Sequence, residues 1–220
     1  MAVTLAEEIM LLSLDDESGA ARQRQAVGWA VAGGILLELV MAGRVTVKGK
    51  YLELADETPT GEELLDGRLG LIATWLRGRS KRRVTDWLTK DQAKAVGAGV
   101  ERLCARGVVA VEESKVFGVF PRRRFPEADG TVERALRERL TAVVIGGAEP
   151  DERTAGLVAL LHAAKLHRLA FPDLPRGQVT ARMAEIAGGQ WAAESVRAAI
   201  RDMQAAMVAV TTVTVIAAGS

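Results

Sequence analysis

Residues 26–43, AVGWAVAGGILLELVMAG, form the most apolar stretch of this 220-residue chain. Its 18 residues come close to the length of a helix that spans a bilayer. Glu38 lies within the stretch, however, and a carboxylate at the centre of a bilayer costs several kcal/mol. Together with the internal Gly33-Gly34 pair, it favours a helix that is buried in a protein core. We expect this helix to cover about residues 20–42.

The composition describes a chain that can build such a core unaided. Hydrophobic residues make up 49% and charged residues 26% of the sequence, which excludes the disordered and low-complexity classes. A chain of this size buries roughly 70% of its unfolded surface, so it needs neither a metal nor a disulfide for stability, and Cys104 is its one cysteine. The start, MAVTLAEEIMLL, lacks the basic residues of a secretory signal. We predict a single cytoplasmic domain over residues 1–220.

Capping and turn patterns divide the chain around the apolar stretch. Thr4 and Glu7 form a capping box before a first helix, and Gly43 ends the second helix. The next predicted elements are a hairpin over 45–54, a helix from 60 to about 77, a basic loop over 77–83, helices over 84–90 and 91–106, and a second hairpin over 109–120. Glu112-Glu113-Ser114 is the expected turn of that second hairpin.

Helical patterns dominate the second half of the chain. The predicted helices cover 132–145, 155–169, 178–187 and 192–210. The last residues, TTVTVIAAGS, are rich in β-branched side chains and would suit a strand equally well. The predicted fold class is therefore mainly α, a single helical domain with about eight helices and two small β-hairpins.

The two helix–hairpin units share a spacing of glycine and apolar residues. The matching positions are Leu39, Gly43, Val45 and Val47 in the first unit, and Leu103, Gly107, Val109 and Val111 in the second. Two explanations remain open at this point. One is an internal duplication, and the other is that any helix ended by glycine before a half-buried strand has this spacing.

The sequence contains none of the motifs HExxH, CxxC, Walker loop or GxSxG. His162 and His167 are five residues apart, which separates them by about 140° around a helix, whereas paired metal ligands share one face. Three acidic pairs lie at helix starts or at a turn, where carboxylates complement the helix dipole or face water. These pairs are Glu7-Glu8, Glu62-Glu63 and Glu112-Glu113. We predict no enzymatic activity, no metal site and no cofactor.

Positive charge is concentrated locally, since the net charge of the whole chain is only +1. Three basic clusters stand out: Arg77, Arg79, Lys81, Arg82 and Arg83; Arg122, Arg123 and Arg124; and Arg134, Arg137 and Arg139. Phosphate is the ligand that suits such clusters, because guanidinium groups bind its oxygens through paired N–H donors.

Two of these clusters are the sharper candidates for an anion site. Arg134 and Arg137 lie one turn apart near a helix N-terminus, where two guanidinium groups and free backbone N–H groups could meet one anion. Glu133 and Glu138 are beside them, so surface salt bridges are the alternative. The triplet 122–124 lies between two Phe-Pro pairs, which we expect to anchor a loop that projects three charges.

Six segments follow one another in a recognisable order: TLAEEIMLLSLDDESG (4–19), GGILLELVMAGRV (33–45), TPTGEELLD (58–66), VERLCARGVV (100–109), VFGVFPRRRFP (116–126) and DERTAGLVALLHAA (151–164). Together they resemble the Golgi phosphoprotein 3 family, in a bacterial, actinobacterial-like branch, over almost the whole chain. This resemblance implies a mostly α-helical fold and a peripheral membrane habit. For eukaryotic members it also implies recognition of phosphatidylinositol 4-phosphate at Golgi membranes and capture of glycosyltransferase tails.

The resemblance transfers the eukaryotic lipid pocket only in part. The Trp of that pocket falls on Gln23 and its Arg on Ala32, whereas its later basic pair falls on Arg134 and Arg137. Trp29 could replace the missing Trp as a membrane-facing indole, but its apolar surroundings favour a place in the core.

The residues and the resemblance together predict a non-enzymatic peripheral membrane adaptor at the cytoplasmic membrane face. We expect it to bind anionic phospholipid headgroups, with phosphatidylinositol 4-phosphate as a candidate, through Arg122, Arg123, Arg124, Arg134 and Arg137. The resemblance also implies a protein partner. The family's oligomerising hairpin is shortened here to GGAEPDERT, residues 146–154.

A winged-helix-like DNA-binding regulator is the alternative function. Residues 100–126 resemble a recognition helix that is followed by a wing with an arginine tip. The polar residues available to read DNA on this helix are Glu101, Arg102 and Arg106. The near-neutral charge of the chain argues against a nucleic-acid partner.

Overall fold

The first helix, α1 (Leu5–Ser13), lies in the core, and all nine of its residues are buried. It begins with the predicted capping box: the Thr4 hydroxyl accepts a hydrogen bond from the Glu7 N–H at 3.2 Å, and the Glu7 carboxylate accepts one from the Thr4 N–H at 2.6 Å. Helix α2 (Arg24–Met41) packs against α1. Gly34 makes this contact close, because a Cβ at that position would lie 3.2 Å from the backbone nitrogen of Ala6. The apolar stretch is therefore a core helix, as predicted.

The computed structural model of the chain describes residues 3–14, 24–78, 82–116, 120–126, 128–189 and 194–217. The remaining helices are α3 (Glu63–Leu76), α4 (Val84–Ala105), α5 (Gly130–Val144), α6 (Glu152–Ala163), α7 (His167–Ala170), α8 (Arg176–Gly188) and α9 (Glu194–Ala217). The strands are β1 (Val45–Lys48), β2 (Tyr51–Leu54), β3 (Arg82–Arg83), β4 (Glu112–Val116) and β5 (Phe120–Arg124). The mainly α fold class is confirmed, with nine helices in these ranges where the sequence predicts about eight. None of the helices in the same ranges is both long enough and apolar enough to cross a membrane.

Helix boundaries differ from the prediction in three places. Residues 84–106, expected as two helices, form the single helix α4, since no glycine or proline lies near the expected break at 90–91. The helix expected over 155–169 is divided into α6 and α7 at Lys165, whose φ of 59° lies in the left-handed region that ends a helix. The C-terminal residues that would also suit a strand continue α9 as helix to Ala217.

The first hairpin is confirmed and gains a third strand. Strands β1 and β2 are antiparallel, with Lys48 opposite Tyr51. The sequence predicts a loop over 77–83, but Arg82 and Arg83 form β3 next to β2, with Arg83 opposite Tyr51. This short strand completes a three-stranded sheet. Residues 79–81 lie outside the described ranges.

The second hairpin has a different turn from the predicted one. Residues 112–114 lie inside β4, which pairs with β5 so that Val116 is opposite Phe120. The predicted turn at these residues is wrong, because a two-stranded ribbon can expose both faces and therefore accepts polar residues in its strands. The connection between the two strands falls on residues 117–119, outside the described part of the chain.

One hydrophobic cluster of buried side chains extends from Leu5 to Met207 and joins the helices. Trp29 belongs to it and is only 3% exposed, so its placement in the core is confirmed and a membrane-facing indole is excluded. Helix α9 packs on α2, α4 and α6.

The spacing shared by the two helix–hairpin units has a local cause. Both helices end at a glycine with a positive φ, 71° at Gly43 and 72° at Gly107. In each unit the next N–H bonds back to the helix, from Arg44 to the Leu39 carbonyl at 2.8 Å and from Val108 to the Leu103 carbonyl at 3.0 Å. The same C-terminal turn accounts for the spacing without a duplication.

Candidate functional site

The N-terminal half of α5 carries the predicted Arg134 and Arg137. Asp129 caps this helix by accepting hydrogen bonds from the Thr131 N–H at 3.0 Å and the Thr131 hydroxyl at 2.7 Å. These two bonds from Thr131 lower the pKa of Asp129, and the charge of Arg134 adds to the effect. The helix start is thus a fixed and charged surface element.

Arg137 is held by contacts within the protein. Its Nε donates to the Glu133 carboxylate at 2.6 Å, and its Nη1 donates to the carbonyl oxygens of Leu169 and Ala170 at 2.9 and 3.1 Å. Glu133 is itself buried. Arg137 therefore ties α5 to the carboxyl end of α7, and the salt-bridge alternative from the sequence is confirmed for this residue.

Arg134 has a different environment. Its side chain is exposed and forms no hydrogen bond or ion pair with another described residue. It lines an open groove of about 640 Å³ along α5, whose other lining residues are Gly130, Glu133, Arg137, Glu138, Thr141 and Ala142. Of the two predicted arginines, Arg134 is the one whose guanidinium is available to an external anion.

Arg139, the third basic residue of this helix, contributes to the interior instead. Its Nη2 lies 2.9 Å from the Glu8 carboxylate of α1. Of the three arginines in this cluster, Arg134 lines the groove, Arg137 links α5 to α7, and Arg139 forms an ion pair with buried Glu8. The cluster does not present one basic face.

The arginine triplet lies in β5 and not in the projecting loop that the sequence predicts. Arg124 is opposite Glu112, Arg123 is opposite Glu113, and Arg122 is opposite Ser114. The side chains of the triplet are outside the described part of the structure.

The base of this hairpin is fixed close to the start of α5. The Ala110 N–H donates to the Pro126 carbonyl, and the Ala128 N–H donates to the Val108 carbonyl, both at 2.9 Å. Only residues 125–129 separate β5 from α5. The strand end at Arg124 and the first turns of α5 are therefore neighbours along the chain.

A buried charge cluster, which sequence reasoning missed, connects α1 to α2, α5, α6 and the C-terminal end of α4. Glu7 and Glu8 are 0% and 3% exposed, so of the two roles predicted for this pair, facing water is excluded; both carboxylates lie in the first turn of α1, where they complement the helix dipole. The Glu7 carboxylate lies 2.7 Å from Arg106 Nε, and the Glu8 carboxylate lies 3.3 Å from Arg153 Nη2. Carboxylates in an otherwise apolar helix are the signal that could have revealed the cluster, because buried charges need partners.

Glu38, from the middle of the apolar stretch, completes this cluster. Its carboxylate accepts hydrogen bonds from the Leu5 N–H at 3.0 Å and from Arg153. Burial raises the pKa of Glu38 to about 7, although Arg153 and the Leu5 N–H favour the charged form. Burial lowers the pKa of Arg153, but the carboxylates of Glu8 and Glu38 outweigh it and raise that pKa.

The helix face proposed for reading DNA is occupied by carboxylates. Arg102 binds Glu62 at 3.1 Å and Glu63 at 3.0 Å, and Arg106 binds Glu7 with only 7% of its side chain exposed. Both arginines are held by acidic side chains within the protein. This arrangement argues against the DNA-binding alternative.

The positions that correspond to the eukaryotic lipid pocket offer no cation on α2. Ala32 is completely buried, and Gln23 lies outside the described residues. Residues 145–151 connect α5 to α6 without a strand. In the ranges that the structure describes, no group of His, Cys, Asp or Glu is arranged to hold a metal ion.

Comparisons with known proteins identify the family of this chain. The model of the Golgi phosphoprotein 3 (GPP34) family matches residues 5–203. Vacuolar protein sorting-associated protein 74 of Eremothecium gossypii is 26% identical over 168 residues, 65% of this chain and 49% of that protein. The protein of the same name from Schizosaccharomyces pombe is 28% identical over 167 residues, 64% of this chain and 48% of that protein.

This chain spans about half the length of each of these two relatives. Both relatives are fungal, so these comparisons give no support to the bacterial branch that the sequence suggests. The family match covers all the elements described above as far as the middle of α9. The chain belongs to the Golgi phosphoprotein 3 family.

Proposed function

We propose that this protein is a non-enzymatic peripheral membrane adaptor that binds anionic phospholipid headgroups at the junction of β5 and α5. Arg134 is the central contact, and the positions 122–124 of β5 add positive charge at the same end of the helix. The observation that carries the proposal is the exposed guanidinium of Arg134, which lies in an open groove and forms no hydrogen bond or ion pair with another described residue. Each Lys or Arg near an anionic surface contributes about 1 kcal/mol to binding.

Arg137 has a positioning role in this proposal. Its bonds to Glu133 and to the end of α7 fix the turn of α5 that carries Arg134. A preorganised helix start presents Arg134 and the backbone N–H groups of the first turn without a further ordering cost.

The alanine at position 32 of α2, where the eukaryotic lipid pocket has an arginine, determines the expected lipid preference. A pocket that holds one headgroup stereospecifically needs donors from more than one side, and buried Ala32 supplies none. We therefore expect binding to follow negative charge, with at most a modest preference for phosphatidylinositol 4-phosphate over other anionic lipids. The adaptor role also includes a protein partner, which family membership supports.

Co-sedimentation with vesicles tests this function. Four vesicle types differ only in lipid: neutral, generic anionic, phosphatidylinositol, and phosphatidylinositol 4-phosphate. The wild-type protein is expected to pellet with the anionic types at low salt, and to be released by added salt because exposed charges are screened. Arg134→Ala should weaken this binding about fivefold, the factor that corresponds to roughly 1 kcal/mol.

Lys94→Ala is the matched control, because it removes one positive charge from an exposed position of α4. It should leave vesicle binding unchanged. Triple replacement of Arg122, Arg123 and Arg124 by Ala should abolish binding at moderate salt. If neither this triple variant nor Arg134→Ala differs from the control, the assignment of the membrane contact to this junction is wrong.

A further inference from the structure

A second cationic groove lies where the β1–β2 turn meets β3 and helix α9. Lys48, Lys50 and Arg83 line it, and its volume is about 580 Å³. Gly49 and two alanines of α9 form part of its wall and leave space above it. None of these cations belongs to the groove along α5.

The sheet brings these cations together from distant parts of the sequence. Lys48 is opposite Tyr51 in the first hairpin, and Tyr51 is opposite Arg83 of β3. The Val84 N–H donates to the Lys50 carbonyl at 3.0 Å, which holds β3 against the turn. Arg83 belongs to the basic segment 77–83, to which the function proposed above assigns no role.

The charges in this groove are only partly compensated by acidic residues. Arg83 is exposed and forms no side-chain hydrogen bond or ion pair with a described residue, and the Lys50 ammonium lies 5.6 Å from the centre of the Tyr51 ring. Lys48 contacts Glu53 at 2.7 Å, but this pair is largely exposed and contributes little. Asp202 is the one acidic residue of the described lining. Three cations therefore face one acid.

The arginines that bind carboxylates provide the contrast. Arg68, Arg106 and Arg153 each have an acidic partner and are at least half-buried. Such arginines stabilise the fold and have little capacity for an external ligand. Lys50 and Arg83 are exposed, and their ammonium and guanidinium groups retain that capacity.

We propose that the groove formed by Lys48, Lys50 and Arg83 is a second anion site, which binds the phosphate groups of a phosphorylated ligand. The guanidinium of Arg83 offers a pair of donors for phosphate oxygens, and the two lysines add point charges on either side of the turn. The ligand is either the headgroup phosphate of a lipid or a soluble phosphate ester. The site does not depend on the membrane contact proposed for α5.

Two arms of one NMR and binding experiment distinguish the two sources. The ¹⁵N-labelled full chain is titrated with inorganic pyrophosphate, and separately with phosphatidylcholine vesicles that contain phosphatidic acid. Pyrophosphate should shift the amide signals of residues 48–51 and 83–85. The double variant Lys50→Ala, Arg83→Ala should weaken binding of the effective probe about fivefold for each cation removed.

The matched control is the double variant Lys90→Ala, Lys94→Ala, which removes the same charge from exposed positions of α4 that do not line the groove. It should bind as the wild type does. Well-dispersed amide spectra of both double variants verify that they are folded.

Each outcome decides the proposal. Groove-centred shifts with pyrophosphate support a site for soluble phosphate esters, and a vesicle response that the groove variant loses and the control retains supports a lipid phosphate. The proposal is overturned if the groove variant binds both probes as tightly as the wild type does. It is also overturned if the amide shifts are confined to residues 130–138. The last result would leave the α5 contact intact. If instead the groove variant weakens vesicle binding, whereas neither Arg134→Ala nor the triple variant of residues 122–124 does, the α5 contact alone is refuted.

Discussion

Glu38 is a buried carboxylate in the core, where a hydrogen-bond donor and an arginine contact it. Its Oε2 accepts a hydrogen bond from the Leu5 N–H, and Arg153 supplies the opposite charge. Burial still dominates, since the pKa of Glu38 rises from 4.5 to about 7. A group with a raised pKa in the folded state binds more protons there than in the unfolded state. The stabilisation linked to Glu38 is therefore complete below about pH 4.5 and is lost as the pH rises through about 7.

Glu38→Gln should reveal this pH dependence. Glutamine retains an acceptor for the Leu5 N–H but does not titrate. Between about pH 5 and pH 8 the wild type should lose up to roughly 3 kcal/mol of unfolding free energy relative to the variant. Urea unfolding at a series of pH values measures the difference. Parallel pH profiles for the two proteins would show that the carboxylate is ionised at the same pH in the folded and unfolded chain.

At the scale of elements, the contact between α1 and α2 depends on a missing side chain. Gly34→Ala would place a Cβ 3.2 Å from the Ala6 nitrogen and 3.3 Å from Ile9 Cδ1. We expect this substitution to lower the unfolding free energy by roughly 1 to 3 kcal/mol, because the helices must move apart.

Gly70→Ala is the control for this substitution, since a Cβ at Gly70 in α3 meets nothing within 4 Å. It should raise the unfolding free energy by up to about 1 kcal/mol through helix propensity alone. Chemical unfolding of both variants compares them directly. Equal effects would mean that the α1–α2 contact tolerates a methyl group.

Two neighbouring arginines of α5 have different roles, because Arg137 links α5 to α7 and Arg134 does not. Arg137→Ala leaves the buried Glu133 carboxylate and two α7 carbonyls without their donor. It should lower the unfolding free energy by about 1 to 3 kcal/mol. Arg134→Ala should change it by less than about 0.5 kcal/mol, because Arg134 is exposed. Thermal unfolding of both variants measures these effects, and a larger loss for Arg134→Ala would contradict the assignment.

Local patterns predicted the elements with their own sequence signals. The Thr4 capping box, the glycine ends of α2 and α4, and the first hairpin all depend on residues close together in the chain, and all are confirmed. The second turn failed because Glu112-Glu113-Ser114 is equally compatible with an exposed strand. Strand β3 was not predictable from the sequence. Its partner Tyr51 lies 32 residues earlier, and a strand of two residues is too short to show the alternation of apolar and polar side chains.

The candidate site was predictable only as a set of charges. Sequence spacing indicated that Arg134 and Arg137 share a helix, but the contacts of each side chain in the folded protein determine its role. Arg137 binds Glu133 one turn away, as the salt-bridge alternative predicted, but its other partners are carbonyls of α7, more than 30 residues away. The environment of Glu7 and Glu8 was unpredictable for the same reason, because a capping pattern does not show whether the start of the helix is buried. Contacts between distant segments therefore separate a binding arginine from a structural one.

For the molecule as a whole, the near-neutral balance conceals an uneven distribution of charge. Several arginines are neutralised by carboxylates, whereas each of the two regions proposed as anion sites contains an exposed arginine that forms no ion pair with a described residue: Arg134 in the groove along α5, and Arg83 in the groove next to β3. Phosphate binding should therefore be confined to these places and not follow a general field.

Duplex DNA provides the whole-molecule test of this distribution. The chain should not retain a fluorescent duplex at low salt in an anisotropy titration, because Arg102 and Arg106 are bound to Glu62, Glu63 and Glu7. A DNA-binding helix needs free donors for phosphates and bases. Retention that Arg102→Ala abolishes would restore the DNA-binding alternative.

The central position of α1 has a consequence for the order of events during synthesis. Helix α1 is synthesised before the other helices described above, yet its partners follow much later in the chain. Glu7 binds Arg106, 99 residues further on, and the Val3 carbonyl binds Arg153, 150 residues further on. Contacts so distant in sequence slow folding, because a long loop must close before they form. A nascent chain that stops short of Arg153 would contain Glu8 and Glu38 without that cation. Of the described helices, α1 is the earliest in the chain and is therefore among the last to reach its final environment.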